Sequence, residues 1–413
     1  MRARRVVVSG LGALTPIGNT VHEFWGNLVR GISGEGQLTR FPVKNLKTRF
    51  GCELKGFDPG DFLGHKERRI HDSYVHYALV ATGEAINHSK IVLENIDRTR
   101  CGVVWGTGNG AISSMEKDFF NYFKGADYPG LSPYFIPKII SNIASGVLSI
   151  KYGFQGPAFT PVAACATANA AFLQAYNYIR FGEADVMIAG ASDAAITAST
   201  IGGFNAIKAL STRNEDAGYA SRPFDESRDG FVIGEGAGAL VLEDYEHALR
   251  RGAAIYAELA AASMTSDAHH LTAAHPHGDG ASRAILNTVK QAGLIPADID
   301  LVNAHATATR LGDVSEVRAL ENVFGAKIPA ITANKSMIGH LLGASGAVEA
   351  VATVMSVYEG IVPPTINLEK IDSQIDFISD SIVTEKKELS INSAISNSFG
   401  FGGHNAVVLF RKI

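Results

Sequence analysis

Cysteine is scarce in this sequence. Cys52, Cys101 and Cys165 are the only three in 413 residues. An odd number without CxxC or zinc-type spacing excludes a disulfide framework and suits a reducing compartment. Charge of neither sign dominates: 37 basic against 41 acidic residues leave a net charge of −4, with no electrostatic footprint for nucleic acid. Long apolar runs are missing too, so no segment reads as membrane-spanning. The one basic run, MRARR, leads into a short strand and Gly turn, VVVSGLG, not into the apolar stretch of a signal peptide. No low-complexity tract interrupts a hydrophobic content of 46% with 19% charged residues. These absences predict an ordinary globular protein of the cytoplasm.

Glycine, by contrast, is plentiful at 43 residues, and its clusters imply tight turns and close backbone packing. Short apolar strands alternate with amphipathic or small-residue helices throughout. The clearest strands are RVVVSG, CGVVWG, ADVMIAG, GALVLED, AAIYAELAA, DLVNAH, AITANK and AVVLF. That alternation predicts an α/β protein with largely buried sheets. A second half begins near AAIYAEL, after the charged helical EDYEHALRRG. The division falls at 1–250 and 251–413, and an internal duplication is expected although no residue-level repeat is visible.

Some signals carry little. GLGALTPIG, GTGNG and GEGAG all lack the spacing of a dinucleotide or P-loop fingerprint. DAHHLTAAHPH holds His269, His270, His275 and His277. No carboxylate and cysteine set completes a zinc site, and a loop at a site mouth is the better reading. RPFDESRDGF, with Arg222, Asp225, Arg228 and Asp229, reads as a structural ion-pair network.

Cys165 is the informative residue. FTPVAAC reads as a strand, and ATANAAFLQAYNYIRFG reads as a helix starting at or just after the cysteine. A thiol there faces the positive end of a helix dipole and unpaired N–H groups, which are expected to lower its pKa. Ala163, Ala164, Ala166 and Ala168 leave room for a substrate. Three more segments place polar groups at strand ends, where α/β proteins build sites. NAHATATRLGD carries His305, Thr307 and Thr309; NKSMIGHLLGASGAVEA carries Lys335, His340 and Glu349; NSFGFGGHN carries Phe399 among glycines. An activated thiol with two histidines and a lysine suits covalent catalysis on a thioester or acyl group.

The chain resembles the β-ketoacyl-acyl-carrier-protein synthases, the condensing enzymes of fatty-acid and polyketide synthesis, of the elongating synthase II type. The likeness covers essentially the whole length. It includes VSGLGALTPIGN, the Cys165 segment, ALSTRNEDAGYASRPFDESRDGFVIGEGAGALVLEDYEHA, NAHATATRLGD, KSMIGHLLGASGAVEA, VPPTINLE and NSFGFGGHN. The resemblance implies a thiolase-like fold of two duplicated βαβαβαβββ halves in five αβαβα layers. The first half would carry the nucleophile and the second the His/Lys/His set. It implies that Cys165 takes an acyl chain from an acyl-carrier protein. The backbone N–H groups of Cys165 and Phe399 would form the oxyanion hole. His305 and His340 would hold the malonyl thioester carbonyl, serving decarboxylation more than loading. Lys335, with Glu349 behind it, would orient the histidines. Thr307 and Thr309 would contact the phosphopantetheine arm and Phe399 would act as a gate. Phe204, His270 and Thr272 are further substrate-binding candidates. No metal or organic cofactor is expected, because decarboxylation drives the bond formation. The expected partners are the acyl-carrier protein and a second subunit, as a homodimer or with a chain-length factor.

The sequence departs from that pattern at several positions. Asn109 stands where the family usually has isoleucine in the acyl pocket, and Thr200 where glycine is common. Ala306, Arg310 and His404 replace the usual Gly, Pro and Thr. Polar groups beside an alkyl chain are unfavourable without partners, so a shorter, unsaturated or more polar substrate is expected. A degradative thiolase would need a second, C-terminal cysteine, and the last here is Cys165. Starter synthases use Cys-His-Asn, and a non-catalytic chain-length factor lacks the nucleophile.

Overall fold

The structure is a computed structural model that describes residues 3–124 and 131–413. Ten strands form its main sheet: β1 (Val6–Leu14), β2 (Cys101–Gly106), β3 (Ala158–Phe159), β4 (Val186–Asp193), β5 (Gly236–Asp244), β6 (Ala257–Ser266), β7 (Leu301–Asn303), β8 (Ala330–Thr332), β9 (Ser393–Gly400) and β10 (His404–Arg411). Their spatial order is β8-β7-β9-β10-β6-β1-β5-β4-β2-β3. From the centre outward, both halves run first, fifth, fourth, second, third. The pairing sense repeats as well. β1 with β5 and β5 with β4 are antiparallel while β4–β2 and β2–β3 are parallel. β6–β10, β10–β9, β9–β7 and β7–β8 follow the same sequence. Within the sheet, among the described residues, the halves are joined by the strand pairs Val7↔Glu258 and Val8↔Ala257. The duplication absent from the residues is therefore present in the topology. Each half places five strands in the sheet, one fewer than the βαβαβαβββ expectation. The surplus strands are two-residue pairs lying off it, such as Ile361–Val362 with Lys387–Glu388.

Five layers follow from where the helices pack. The Thr167–Arg180 and Ser345–Glu359 helices each touch strands of both halves, so they form the middle layer. Every residue from Ser345 to Val357 is buried, because strands of both halves pack against it. Its partner helix uses Ala168, Ala170, Ala171 and Ala175, small side chains that let the two halves of the sheet approach from either side. The Ser73–Ser89 helix covers the first half outside and the Asp279–Gln291 helix covers the second.

Three local expectations are corrected. VVVSGLG contains no turn; β1 runs straight through it to Leu14. Gly10 and Gly12 are there because a Cβ would strike the carbonyls of Ala85 and Ala81 on the outer helix. FTPVAAC does not continue as a strand. Pairing ends at Phe159, since Pro161 has no N–H for a ladder. AAIYAELAA starts pairing only at Ala257.

Candidate active site

The Cys165 turn sits at the inner end of a middle-layer helix. Ala164–Ala166 is one 3₁₀ turn, and the α-helix begins at Thr167, whose hydroxyl accepts from the Ala163 N–H at 2.8 Å. Ala164 has φ of 48°, a left-handed conformation that a residue with a Cβ adopts only when its surroundings impose it. The imposing surface is the C-terminal glycine segment. A Cβ on Gly400 would lie 2.6 Å from the Ala163 carbonyl and 3.1 Å from the Cys165 nitrogen.

Around the sulfur the structure gathers residues far apart in sequence. His340 Nε2 lies 3.0 Å from Cys165 Sγ, and His340 Nδ1 lies 2.8 Å from Ser345 Oγ. The His305 ring meets the His340 ring edge-on with centroids 5.4 Å apart. Lys335 Nζ donates to Glu349 Oε1 at 2.5 Å, with both side chains sealed from solvent. Cys165, His305, Lys335, His340 and Glu349 thus form one constellation.

Its electrostatics differ from the expected thiolate. Burial pushes the Cys165 thiol up to about 12; Asp193 adds to the rise, while the charge on Lys335 and N–H groups oppose it. Desolvation disfavours the charged form more than one helix start can offset. Both imidazoles are held well below their usual range, by burial first and then by Lys335. The resting site therefore holds a neutral thiol against a neutral imidazole. Burial also pushes the Glu349 carboxyl up to about 7, against the pull of Lys335.

The backbone donors at the sulfur are those of Cys165 itself and Phe401, so the donor expected of Phe399 is supplied two residues later. Phe399, next to the end of β9, turns its ring edge-on to His305, with centroids 5.8 Å apart. Among the described residues, buried His305 Nδ1 has no hydrogen-bond partner, leaving a polar atom free in the site.

Sequence reasoning missed several residues that hold this arrangement. Glu316 is buried and accepts from the backbone N–H groups of His305 at 2.8 Å and Ala306 at 2.7 Å, and from Asn397 Nδ2 at 3.0 Å. Its signal was a carboxylate on the inward face shared by Asp313, Val317 and Leu320. Phe231 stacks edge-on against His340 at 5.3 Å and against Phe204 at 5.1 Å, linking the candidate acyl wall to the histidine. Asp193, buried beside the site, accepts from the N–H groups of Gly108 and Asn109.

The other candidates fall in three places. Thr307 and Thr309 share a hydroxyl contact of 3.1 Å on a loop where Ala306 and Ala308 both have positive φ. Buried Arg228 holds that loop by its side chain, donating to the carbonyls of Thr309 and Arg310 while pairing with Asp313 and Asp372. With Arg222–Asp225 at 2.9 Å, this is the ion-pair network expected of RPFDESRDGF; Asp229 instead accepts from the Thr212 N–H. Phe204 and Thr200 lie on the Ala198–Ala206 helix, and Thr200 is bonded to Thr197 at 3.1 Å. Asn109 has an exposed side chain. His270 and Thr272 sit on an exposed loop, where His270 Nδ1 accepts from the Thr272 N–H at 3.1 Å. Among the described residues, no group of three or more His, Cys, Asp or Glu side chains could hold a metal ion.

Two halves of identical strand order, meeting at a cysteine just before an inner helix, define the thiolase-like class of folds. The Beta-ketoacyl synthase N-terminal domain matches residues 3–248 and its C-terminal domain matches residues 256–369. This chain belongs to the β-ketoacyl synthase family. It is 45% identical to 3-oxoacyl-[acyl-carrier-protein] synthase 2 of Synechocystis sp., covering 100% of this chain and 99% of that one. It is 42% identical to the chloroplastic 3-oxoacyl-[acyl-carrier-protein] synthase I of Arabidopsis thaliana, covering 98% and 86%. Among solved structures, the ishigamide ketosynthase/chain length factor superposes with a TM-score of 0.93 at 31% identity, covering all of both chains. A type II polyketide ketosynthase in complex with its acyl-carrier protein and bound to the hexaketide superposes with 0.92 at 33% identity, again over both chains.

Proposed function

We propose that this protein is a 3-oxoacyl-[acyl-carrier-protein] synthase, an acyltransferase that condenses malonyl-acyl-carrier protein with an acyl group in fatty-acid or polyketide elongation, and that Cys165 carries that acyl group. The observation that carries the reading is the 3.0 Å contact between Cys165 Sγ and His340 Nε2, inside a family whose members are named for this reaction.

In the loading step, the sulfur attacks the thioester carbonyl of the acyl-carrier protein. The S–H proton passes to His340 Nε2 and from there to the departing phosphopantetheine sulfur. The N–H groups of Cys165 and Phe401 face the oxyanion as the tetrahedral intermediate forms. Once acylated, the sulfur no longer holds a proton, and His340 in its Nε2–H tautomer, with Nδ1 accepting from the Ser345 hydroxyl, donates to the malonyl carbonyl. There it joins His305, whose Nδ1 is unpartnered among the described residues. Loss of carbon dioxide leaves its bonding electron pair as an enolate, which the imidazole donors stabilise. The enolate carbon attacks the Cys165 thioester, and the thiolate departs and takes a proton from solvent water. Lys335 supplies a fixed positive charge beside both rings. Because both imidazoles rest neutral, they can act at neutral pH.

Thr307 and Thr309 receive the phosphopantetheine arm in this reading, and Phe399 gates the site against the His305 ring. Residues 1–250 form the half with the nucleophile and 251–413 the half with the histidines and lysine, supported by the repeated strand order. The protein works with an acyl-carrier protein and a second subunit, a copy of itself or a chain-length factor, in line with the complexes formed by its structural neighbours. A reducing, cytoplasmic setting agrees with three free thiols and with the finding that no described helix is long and apolar enough to cross a membrane.

Cys165→Ala tests the assignment. Intact mass after incubation with acyl-acyl-carrier protein should show an acyl adduct on the native chain and none on the variant. A thiol-directed epoxide should label Cys165 ahead of Cys52 and Cys101, both of which are fully buried. Labelling of either of those two instead would sink the assignment.

A further inference from the structure

The short helix Lys335–Ile338 and the two residues after it carry both Lys335 and His340. What holds that segment comes from an unexpected direction. The loop after the Val21–Val29 helix reaches it twice. The Gly34 N–H donates to the Met337 carbonyl at 2.7 Å. Next to it, Glu35 Oε1 accepts from the Ser221 N–H at 2.9 Å and Oε2 from the Ala220 N–H at 3.3 Å. The Ser221 hydroxyl then donates to the Lys335 carbonyl at 2.6 Å. On the far side, the His340 N–H donates to the Val232 carbonyl and its carbonyl accepts from the Gly234 N–H. The segment is thus clamped at both ends, and the Lys335 end depends on a carboxylate.

That carboxylate is unusual in its surroundings. Among the described residues, no lysine or arginine forms an ion pair with Glu35. The charged and titratable groups acting on it are Lys55 and the buried Cys52 thiol. A neutral side chain could pack in this loop without the desolvation of a carboxyl group. Glu35 is worth its burial only if its two oxygens organise the two N–H groups, and ionised acceptors form hydrogen bonds about twice as strong as neutral ones.

We propose that Glu35 is a positioning residue for condensation, holding Ser221 so that its hydroxyl fixes the backbone of Lys335 and thereby the Lys335–His340 segment. This inference rests on the reading of Lys335 and His340 as reaction groups. Protonation weakens the clamp, because the acid form presents an O–H toward one of the two N–H donors. Burial pushes this carboxyl up to about 8, with the Ser221 and Ala220 N–H groups and Lys55 opposing. The clamp is therefore weaker below that pH and firmer above it.

The test measures condensation by the full chain from about pH 6.5 to 9.5, with malonyl-acyl-carrier protein varied at each pH. Native kcat should rise through a limb near pH 8. Glu35→Gln should lose that limb and about tenfold in kcat, with KM within about twofold, since small misplacements of reacting groups act on kcat. A purely structural role would lower the melting temperature and leave the limb in place. Ser221→Ala, which keeps Glu35 and removes only the hydroxyl, should lower kcat at every pH and retain the limb. An unchanged limb in Glu35→Gln, or native kcat in Ser221→Ala, overturns the proposal. A native chain that condenses nothing overturns the reading of the site itself, and this inference with it.

Discussion

Removing the charge of Glu349 should separate what the buried ion pair does for stability from what Lys335 does in the reaction. Glu349→Gln keeps the side-chain volume and an acceptor oxygen, yet leaves the ammonium of Lys335 without a counter-charge in a site where both groups are sealed from water. Breaking a buried pair from one side destabilises by about 3–5 kcal/mol. The lower end applies here, because burial already holds this carboxyl close to neutrality. At about 2.1 cal/mol/K per residue, a chain of 413 residues has an unfolding entropy of about 0.9 kcal/mol/K, so the expected drop in Tm is about 3 °C. The double variant Lys335→Met/Glu349→Leu removes both charges and fills the space with apolar atoms. Its Tm should return to the native value or pass it, while condensation remains lost because the charge beside the histidines is gone. Scanning calorimetry gives the Tm values, and release of carbon dioxide from malonyl-acyl-carrier protein gives the activity. A single variant melting within about 1 °C of the native chain would refute the reasoning. So would a double variant that melts below the single one.

Asn109→Ile with Thr200→Gly should raise condensation rates on long saturated acyl groups relative to short or unsaturated ones, since each buried methylene is worth about 0.8 kcal/mol, roughly fourfold. An unchanged chain-length profile would show that neither residue sets specificity. Acid stability should depend on Asp185. Its hydrogen bonds with Arg100, and then with Arg4, hold its carboxyl down to about 2. Because the folded value is depressed below 3.8, its stabilisation is present above that pH and disappears as pH falls through about 2. Asp185→Asn should therefore flatten the pH dependence of urea unfolding between about pH 4 and 2, and an unaltered slope would contradict the assignment.

The sequence by itself determined the local chemistry. The Cys165 turn, the residues flanking His305, and the Lys335 to Glu349 run are contiguous, so chain spacing alone placed them at strand and helix ends. Alternating short strands and helices likewise settled the α/β class, because period and length are local properties. Several other features were decided only by tertiary packing. The duplication is written in strand order, not in residues, because many side-chain sets can bury the same face. Phe401 and Phe399 are indistinguishable in a Gly-rich run, and only the folded chain turns the Phe401 N–H toward the sulfur. Glu316 and Glu35 bind backbone N–H groups from distant segments, and such partners leave no side-chain signature. The thiol's ionisation was misjudged for the same reason. A helix start is visible in sequence, but the desolvation that outweighs it is a property of everything packed around the sulfur.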